Sequence, residues 1–338
     1  MTTNTGELAD TLVPLRWGII GTGGIAARFA ADLRLLEEAK LVAVGSRSQP
    51  GADSFGDRWG VGRRHPSYAD LVADPEVEAV YVGTPHPGHH DAAVLALEAG
   101  KAVLCEKPFM INASEADHVI GLARERGVFA MEAMWTRFLP HMVRVRELLD
   151  SGVLGEIRTV IADHGQWFES DPAHRLFDPA LAGGALLDLG VYPVSFASFV
   201  LGTPATVTAV SDPAFTGVDG QTSVLLQYPG GAHAVLSTTL WAAGPTRAAV
   251  VGTRGRIEID RTWYAPTTFT VLGRDDEVLE RYELPGDGNG LRYQAAEVAR
   301  CVRSGRTEST VMPLDETRAI AATMDEVRRQ IGLVYPGE

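Results

Sequence analysis

The sequence predicts an α/β domain built on a doubly wound parallel sheet, followed by an α+β domain with a large, mainly antiparallel sheet. Three observations carry this. Short apolar runs alternate with helical patterns from Leu15 to Met134, which is the signature of β-α-β units. Glycines stand where the first apolar run gives way to a helical pattern. Beyond Gly152, strand-like runs follow one another without helices between them, as antiparallel strands do. The spacing places a polar, disordered tail at residues 1–13, the first domain at 14–136 and the second at 137–338.

Leu15–Ile20 is an apolar run broken only by Arg16 and Gly18, and reads as the first strand. Ile25, Phe29, Leu33 and Leu36 recur at helical spacing, predicting a helix to Leu36. Leu41–Val44, Ala79–Gly83 and Ala102–Cys105 read as further strands, and Asp91–Ala99 as a helix. Ser114 with Asp117 resembles a capping box opening a helix that runs to Arg126 and stops at Gly127. Val128–Met134 is strand-like, and the domains change near Trp135–Pro140. His141–Leu149 reads as a helix, with strands at Ile157–Ile161, Ala205–Val210, Ser223–Tyr228, His233–Leu240, Ala248–Val251 and Ile257–Ile259. Pro229-Gly230-Gly231 supplies turn chemistry for a hairpin. Helical patterns at Leu291–Arg303 and Leu314–Ile331 complete the chain.

A length of 338 residues suffices for two cores. The net charge of −13 opposes binding to nucleic acid or to an anionic membrane face. The two cysteines, Cys105 and Cys301, have no disulfide or metal-ligand spacing, which fits a reducing compartment. The first ten residues lack the apolar core of a signal peptide, and no window holds enough uninterrupted apolar residues to span a bilayer. The expectation is a cytoplasmic protein without nucleic-acid or membrane partners.

The most specific local signal is Gly21-Thr22-Gly23-Gly24-Ile25-Ala26, between a strand and a helix. Gly21 permits a tight turn, Gly23 lets the backbone approach a pyrophosphate, and Ala26 is small enough for close helix–sheet packing. The helix N-terminus offers N–H groups to phosphate. This is the dinucleotide-binding turn of a Rossmann domain. Such domains usually carry an acid after the second strand to bind the ribose 2′-OH. Here that position reads Ser46-Arg47-Ser48, and Glu37 and Glu38 precede the strand. Arg47 flanked by hydroxyls suits a 2′-phosphate. NADP(H) is therefore expected, with NAD(H) as the weaker alternative should Arg47 only stack on adenine.

Two further motifs bear chemistry. Glu106-Lys107-Pro108 follows a strand end, where ligands meet an open α/β sheet. Gly183-Gly184 leads through Asp188 to Tyr192-Pro193. With the glycine turn, these three motifs resemble the Gfo/Idh/MocA oxidoreductases, from about Leu15 to Tyr335. Within that family the chain is similar to the branch of dimeric dihydrodiol dehydrogenases and NADP-dependent xylose dehydrogenases. His86-Pro-Gly-His89, Gly100–Pro108, Glu132–Phe138 and Gly183–Asp188 carry that likeness. Many members have His where this chain has Tyr192, which favours the dihydrodiol dehydrogenase and glucose–fructose oxidoreductase side over inositol dehydrogenases.

The resemblance implies an NADP(H)-dependent dehydrogenase or reductase for a pyranose sugar or cyclic vicinal diol. Tyr192 would be the acid/base, helped by Lys107, with Asp188 orienting a hydroxyl or the catalytic pair. A phenol's ordinary pKa of about 10 is too high for a base near neutrality, and Lys107 is expected to lower it. Thr84, Pro85, His86 and His89 are expected at the cofactor, with Glu106, Lys107 and Pro108. Trp135, Arg137, Phe138 and Trp167 are expected at the substrate. His86, His89 and His90 lack partners at ligand spacing, so no metal is expected. His164 suits either pocket or packing, and Arg175 could bind substrate hydroxyls, with an ion pair or solvent as its default. Alternatives are a biosynthetic ketosugar reductase and a non-catalytic NADP(H)-binding sensor. The loosely alternating strands at Ser223–Tyr228 and His233–Leu240 suggest a sheet covered on both faces, hence a homodimer or higher homo-oligomer.

Overall fold

The computed structural model describes residues 13–283 and 288–338. Apart from Val13, the expected N-terminal tail lies outside the described residues.

The first sheet holds β1 (Leu15–Ile20), β2 (Ala39–Gly45), β3 (Arg63–His65), β4 (Ala79–Val82), β5 (Ala102–Glu106) and β6 (Ala130–Ala133). All pairs are parallel, in the order β3-β2-β1-β4-β5-β6. This is the doubly wound arrangement, with its switch point between β1 and β4, where ligands bind. Helices α1 (Gly24–Leu33), α2 (Gln49–Trp59), α3 (Tyr68–Ala73), α4 (His89–Glu98) and α5 (Ala113–Arg126) connect the strands. The central strands are buried on both faces, so they read as continuous apolar runs rather than alternating ones.

Some boundaries differ from expectation for local reasons. Helix α1 ends at Leu33, three residues early. The cap of α5 is not Ser114: the Asn112 side chain accepts from Glu115 N at 2.8 Å. Helix α2 escaped notice because Gly51 and Gly56 lie inside it. It is instead fixed by its ends, with Ser48 Oγ accepting from Gly51 N at 3.3 Å and Gly60 stopping it at φ 66°.

The second part contains α6 (Pro140–Asp150), β7 (Ile157–Gly165), α7 (Val191–Leu201) and β8 (Thr206–Pro213). Strands β9 (Asp219–Gln227), β10 (His233–Thr239), β11 (Ala248–Gly252), β12 (Gly255–Ile259), β13 (Phe269–Gly273) and β14 (Val278–Tyr282) follow. The eight strands run β14-β13-β12-β11-β7-β10-β9-β8. All pairs are antiparallel except β7 with β10. The expected hairpin between β9 and β10 is present, with Gly230 and Gly231 at φ 88° and 86°. Val160, Leu226, Ala234, Leu236 and Val250 form a buried face under α7. The opposite face is open in the single chain, exposing Ile161, Leu225 and Val235, which stand side by side across β7, β9 and β10.

Residues 179–201 are long and apolar enough, by length and composition alone, to cross a bilayer, although Asp188 interrupts the apolar run. Their packing explains the apolarity: Ala185–Ala197 is buried throughout. The last helices, α8 (Arg292–Arg303) and α9 (Leu314–Ile331), return to the first part. Buried Asp32 in α1 accepts from Leu291 N at 2.7 Å just before α8. Helix α9 packs on α5, β6, α7 and β8, bridging both sheets.

Candidate active site

The glycine turn has the shape its sequence implies. Gly21 sits at φ +100°, and a Cβ there would lie 2.6 Å from Gly83 O. Side chains at Gly23 and Gly24 would meet nothing within 4 Å, so these residues line an open face at the start of α1. No side chain caps this helix, leaving its first N–H groups to an anion. Ala26 is fully buried against the sheet. Across the turn, the Thr84 hydroxyl is buried and has no partner among the described residues. After β2, Ser46 is buried while Arg47 and Ser48 are exposed. No ion pair of Arg47 occurs among the described residues. An open cradle, an unmatched hydroxyl and a free cation fit a dinucleotide bearing an extra phosphate.

Histidines 86, 89 and 90 face three different ways. His89 is fully enclosed, its Nδ1 at 2.9 Å from Pro108 O and its Nε2 at 3.0 Å from Thr84 O. Burial pushes its pKa down to about 4. It staples the loop after β4 to the Lys107-Pro108 loop rather than offering a free nitrogen to a ligand. His86 donates from Nδ1 to Ala182 O at 3.1 Å, and its Nε2 lies 3.5 Å from Asp188 Oδ1. It thereby joins the two parts of the molecule. His90 meets His118 at 2.8 Å on the surface.

Lys107, Asp188 and Tyr192 come together where the loop after β5 meets the turn leading into α7. Lys107 emerges from β5 just after Glu106. Buried Glu106 accepts a short bond from Tyr81 Oη and a 3.2 Å bond from Lys107 N. Lys107 Nζ donates to Asp188 O at 2.8 Å and to Asp188 Oδ1 at 3.2 Å. It also stands 4.9 Å from the centre of the Tyr192 ring. A π-helical turn, Leu186–Gly190, carries Asp188 and runs straight into α7, whose second residue is Tyr192. Such turns are rare and gather at functional sites. Trp135 Nε1 donates to Tyr192 Oη at 2.9 Å.

Burial opposes charge on every one of these groups, and the partners decide the outcome. Asp188 would be raised by burial, but Lys107, His86 and Arg175 hold it well below the usual carboxylate range. Lys107 would be lowered by burial, but Asp188, then Tyr192 and Glu106, keep it above its ordinary value. For Tyr192 burial wins: its pKa is pushed up to about 12, although Lys107 and the Trp135 hydrogen bond pull it down. This corrects the expectation of a lowered value. Lys107 acts in the expected direction but shares its charge with Asp188, and desolvation of the phenolate is the larger effect.

The remaining expected substrate residues divide. Trp135 is at the centre, while Phe138 is buried in the core. Trp167 is exposed on the rim, bridged to Trp241. Arg137 is not at the site. It is buried, and it donates to Ser195 O at 2.8 Å and pairs with Glu316 at 2.7 Å, tying α7 to α9. Its neighbourhood in sequence to Trp135 misled because the 3-10 turn at Trp135–Phe138 points the two side chains apart.

Three more residues join: Arg175 and His164, whose roles the sequence leaves open, and Tyr264, which it does not single out. Arg175 grips Asp188 with both ends of its guanidinium, at 3.2 and 3.1 Å, while its side chain stays 54% exposed. Tyr264 lies 4.8 Å from the Tyr192 ring and 4.1 Å from His164, ring centre to ring centre. His164, lowered to about 3 by burial and by Lys107, is neutral. It donates from Nδ1 to Leu189 O and accepts at Nε2 from Gln166. Nothing local in the sequence marks Tyr264, which reaches the site from the connection between β12 and β13.

The chain matches two family models that fit this division. Residues 15–134 match an oxidoreductase family with an NAD-binding Rossmann fold, and residues 142–258 match the GFO/IDH/MocA C-terminal domain. The chain belongs to the Gfo/Idh/MocA oxidoreductase family. This oxidoreductase is 40% identical over 332 residues to trans-1,2-dihydrobenzene-1,2-diol dehydrogenase of Bos taurus, covering 95% of this chain and 98% of that one. It is also 40% identical to the Homo sapiens enzyme of that name, with the same coverage. Among solved structures it resembles a 3-ketoreductase from Actinomadura kijaniata in complex with TDP-benzene and NADP, with TM-score 0.81 and 29% identity over 94% of this chain and 98% of that one. An aldose-aldose oxidoreductase from Caulobacter crescentus complexed with glycerol gives TM-score 0.85 and 26% identity, over 94% and 97%. The open glycine cradle lies within the stretch, residues 15–134, that matches the NAD-binding Rossmann fold.

Proposed function

We propose that this oxidoreductase interconverts a CH–OH and a C=O group on a pyranose sugar or cyclic vicinal diol, with NADP(H) preferred over NAD(H). The observation that carries this reading is the meeting of Lys107, Asp188 and Tyr192 at the C-terminal edge of the dinucleotide-binding sheet. The bound nicotinamide supplies or accepts the hydride. The dinucleotide would rest on Gly21–Ala26, with Arg47 and Ser46 at the 2′-phosphate. The protein's own task is to handle the proton on the substrate oxygen. Tyr192 Oη moves that proton, Lys107 Nζ donates a hydrogen bond to the oxygen, and Asp188 fixes Lys107. Trp135, Tyr264 and Trp167 supply flat apolar surfaces for a ring.

The relatives support the substrate class: their names cover a cyclic diol, a keto group and aldoses. A phenol with its pKa pushed up to about 12 holds its proton near neutrality. That form donates to a carbonyl oxygen, the role a reductase needs, and a ketosugar reductase is the second reading. A dinucleotide sensor needs neither Lys107 nor Tyr192, and both are present here in contact. The open row of Ile161, Leu225 and Val235 supports self-association through the second sheet.

Replacement of Tyr192 by Phe removes only the hydroxyl. Turnover should fall about 10²- to 10⁴-fold, the usual worth of a positioned acid/base, while the NADP dissociation constant stays the same. Unchanged turnover on sugars, diols and their ketones would discard Tyr192 as the acid/base.

A further inference from the structure

The reacting groups sit at the start of a helix whose first turn is irregular, so something outside the helix must fix it. The glycine turn Gly183–Gly184 precedes it, and its backbone groups are held from three directions. Gly184 N donates to Leu176 O at 2.8 Å, which ties the turn to the segment bearing Arg175. Tyr335 Oη, from the last residues of the chain, donates to Gly183 O at 2.7 Å. Asp219 Oδ2, at the first residue of β9, accepts from Leu186 N at 2.8 Å and from Thr222 Oγ1 at 2.8 Å. Both side chains are enclosed, with Tyr335 and Asp219 each 3% exposed.

The fit around Asp219 explains the glycine. Gly184 lies at φ +116°, and a Cβ there would come within 2.1 Å of Asp219 Oδ1. The carboxylate thus fills the space a side chain would take. Asp219 acts as a helix cap delivered from another strand: a buried carboxyl accepting from the Leu186 N–H at a helix start. No residue of the turn itself provides a side-chain cap.

We infer that Tyr335 and Asp219 form a two-point clamp that positions Asp188 and Tyr192, making the C-terminal segment part of the catalytic apparatus. The inference rests on the proposed roles of Tyr192 and Lys107. Neither clamp residue touches the reacting atoms. They act through the peptide groups of Gly183 and Leu186, two residues before Asp188 and six before Tyr192. Loss of either contact lets the π-helical turn shift against Lys107, and a misplacement of about 1 Å can cost on the order of 10²-fold in rate.

The test uses the full chain with Tyr335→Phe, Asp219→Ala and the double variant, beside Tyr192→Phe. Tyr335→Phe keeps the ring and loses one hydrogen bond, so it should fold. The clamp predicts that kcat in each single variant falls about tenfold or more, with the NADP dissociation constant unchanged. The double variant should lose less than the product of the two, since both hold one turn. Amide exchange of Leu186–Gly190 should quicken in Tyr335→Phe while that of β1 and α1 does not. Normal turnover and unchanged exchange in folded Tyr335→Phe would overturn the clamp, as would fully multiplicative losses. If Tyr192→Phe is inactive while the clamp variants turn over normally, the clamp fails and the catalytic reading stands. If Tyr192→Phe turns over normally, the catalytic reading fails, and faster exchange in Tyr335→Phe still reports the clamp as a structural element.

Discussion

Glu132 offers a sharp test of the electrostatics behind the Lys107 loop. It lies in β6, is 2% exposed, and accepts from Phe109 N at 3.1 Å. Its other oxygen has no partner among the described residues. Burial pushes its pKa from the usual 4.5 up to about 7. An acid whose native pKa is raised keeps its proton in the fold while the unfolded chain releases it. Stability therefore falls as pH rises through this window, from about the unfolded value to beyond the native one. Between pH 5 and pH 8 that amounts to roughly 2 to 3 kcal/mol. Glu132→Gln removes the titration and keeps an acceptor for Phe109 N. The assay is urea unfolding of both proteins at pH 5 and pH 8. The variant should gain roughly 2 to 3 kcal/mol on wild type over that interval. Using the change between two pH values cancels the pH-independent effect of the substitution. Asp219, raised to about 7 by burial, titrates in both proteins and cancels too. An equal pH dependence in the two proteins would refute a buried, protonated Glu132.

Three further outcomes follow from the site. Arg47→Ala removes a cation expected to make charge-assisted bonds worth about 1.5–3 kcal/mol, so NADP affinity should fall about 10- to 100-fold and NAD affinity hardly at all; equal losses in titration would sink the selectivity argument. Asp188→Asn leaves Lys107 and Arg175 without their shared anion, a change that costs about 3–5 kcal/mol in buried pairs. With the largest charge opposing burial removed, Lys107 should lose its proton at lower pH, and the alkaline fall in kcat should move to lower pH; a profile identical in shape to wild type would contradict this. Val235→Lys places a charge in the open row on the second sheet, and sedimentation should show a wild-type oligomer reduced to monomer. A wild-type protein that is already monomeric refutes self-association there.

What the sequence made legible was local. The strand, glycine turn and helix at Leu15–Leu33 could be read because apolar periodicity and backbone conformation are properties of neighbouring residues. The same holds for the β9–β10 hairpin, where two glycines at positive φ mark the turn. Helix α2 was hidden because its order comes from Ser48 and Gly60 at its ends, not from an apolar stripe. Lys107, Asp188 and Tyr192 were found through motifs, but their partners were not. Arg175 and Tyr264 reach the centre from segments whose own patterns encode only a turn and a connection. Arg137 was misplaced for the converse reason: nearness in sequence to Trp135 did not bring nearness in space.

The acidity of Tyr192 shows how a site differs from the sum of its motif residues. Counting charges, one lysine beside one tyrosine argues for a lowered phenol. In the fold, Lys107 spends two of its hydrogen bonds on Asp188, at 2.8 and 3.2 Å, and meets Tyr192 only across the ring face. Asp188 in turn is divided among Lys107, Arg175 and His86. The field that reaches the Tyr192 hydroxyl therefore depends on how firmly Arg175 and His86 hold Asp188. Both come from outside the two catalytic motifs: His86 from the loop after β4 at the dinucleotide cradle, Arg175 from the partly exposed rim. A ligand that draws Arg175 away would leave Asp188 more fully to Lys107 and keep Tyr192 protonated. One that strengthens the Arg175–Asp188 pair would free Lys107 for the reacting oxygen. The proton transfer proposed for Tyr192 is thus tied through Asp188 to both ends of the cleft, which no single motif in the chain reveals.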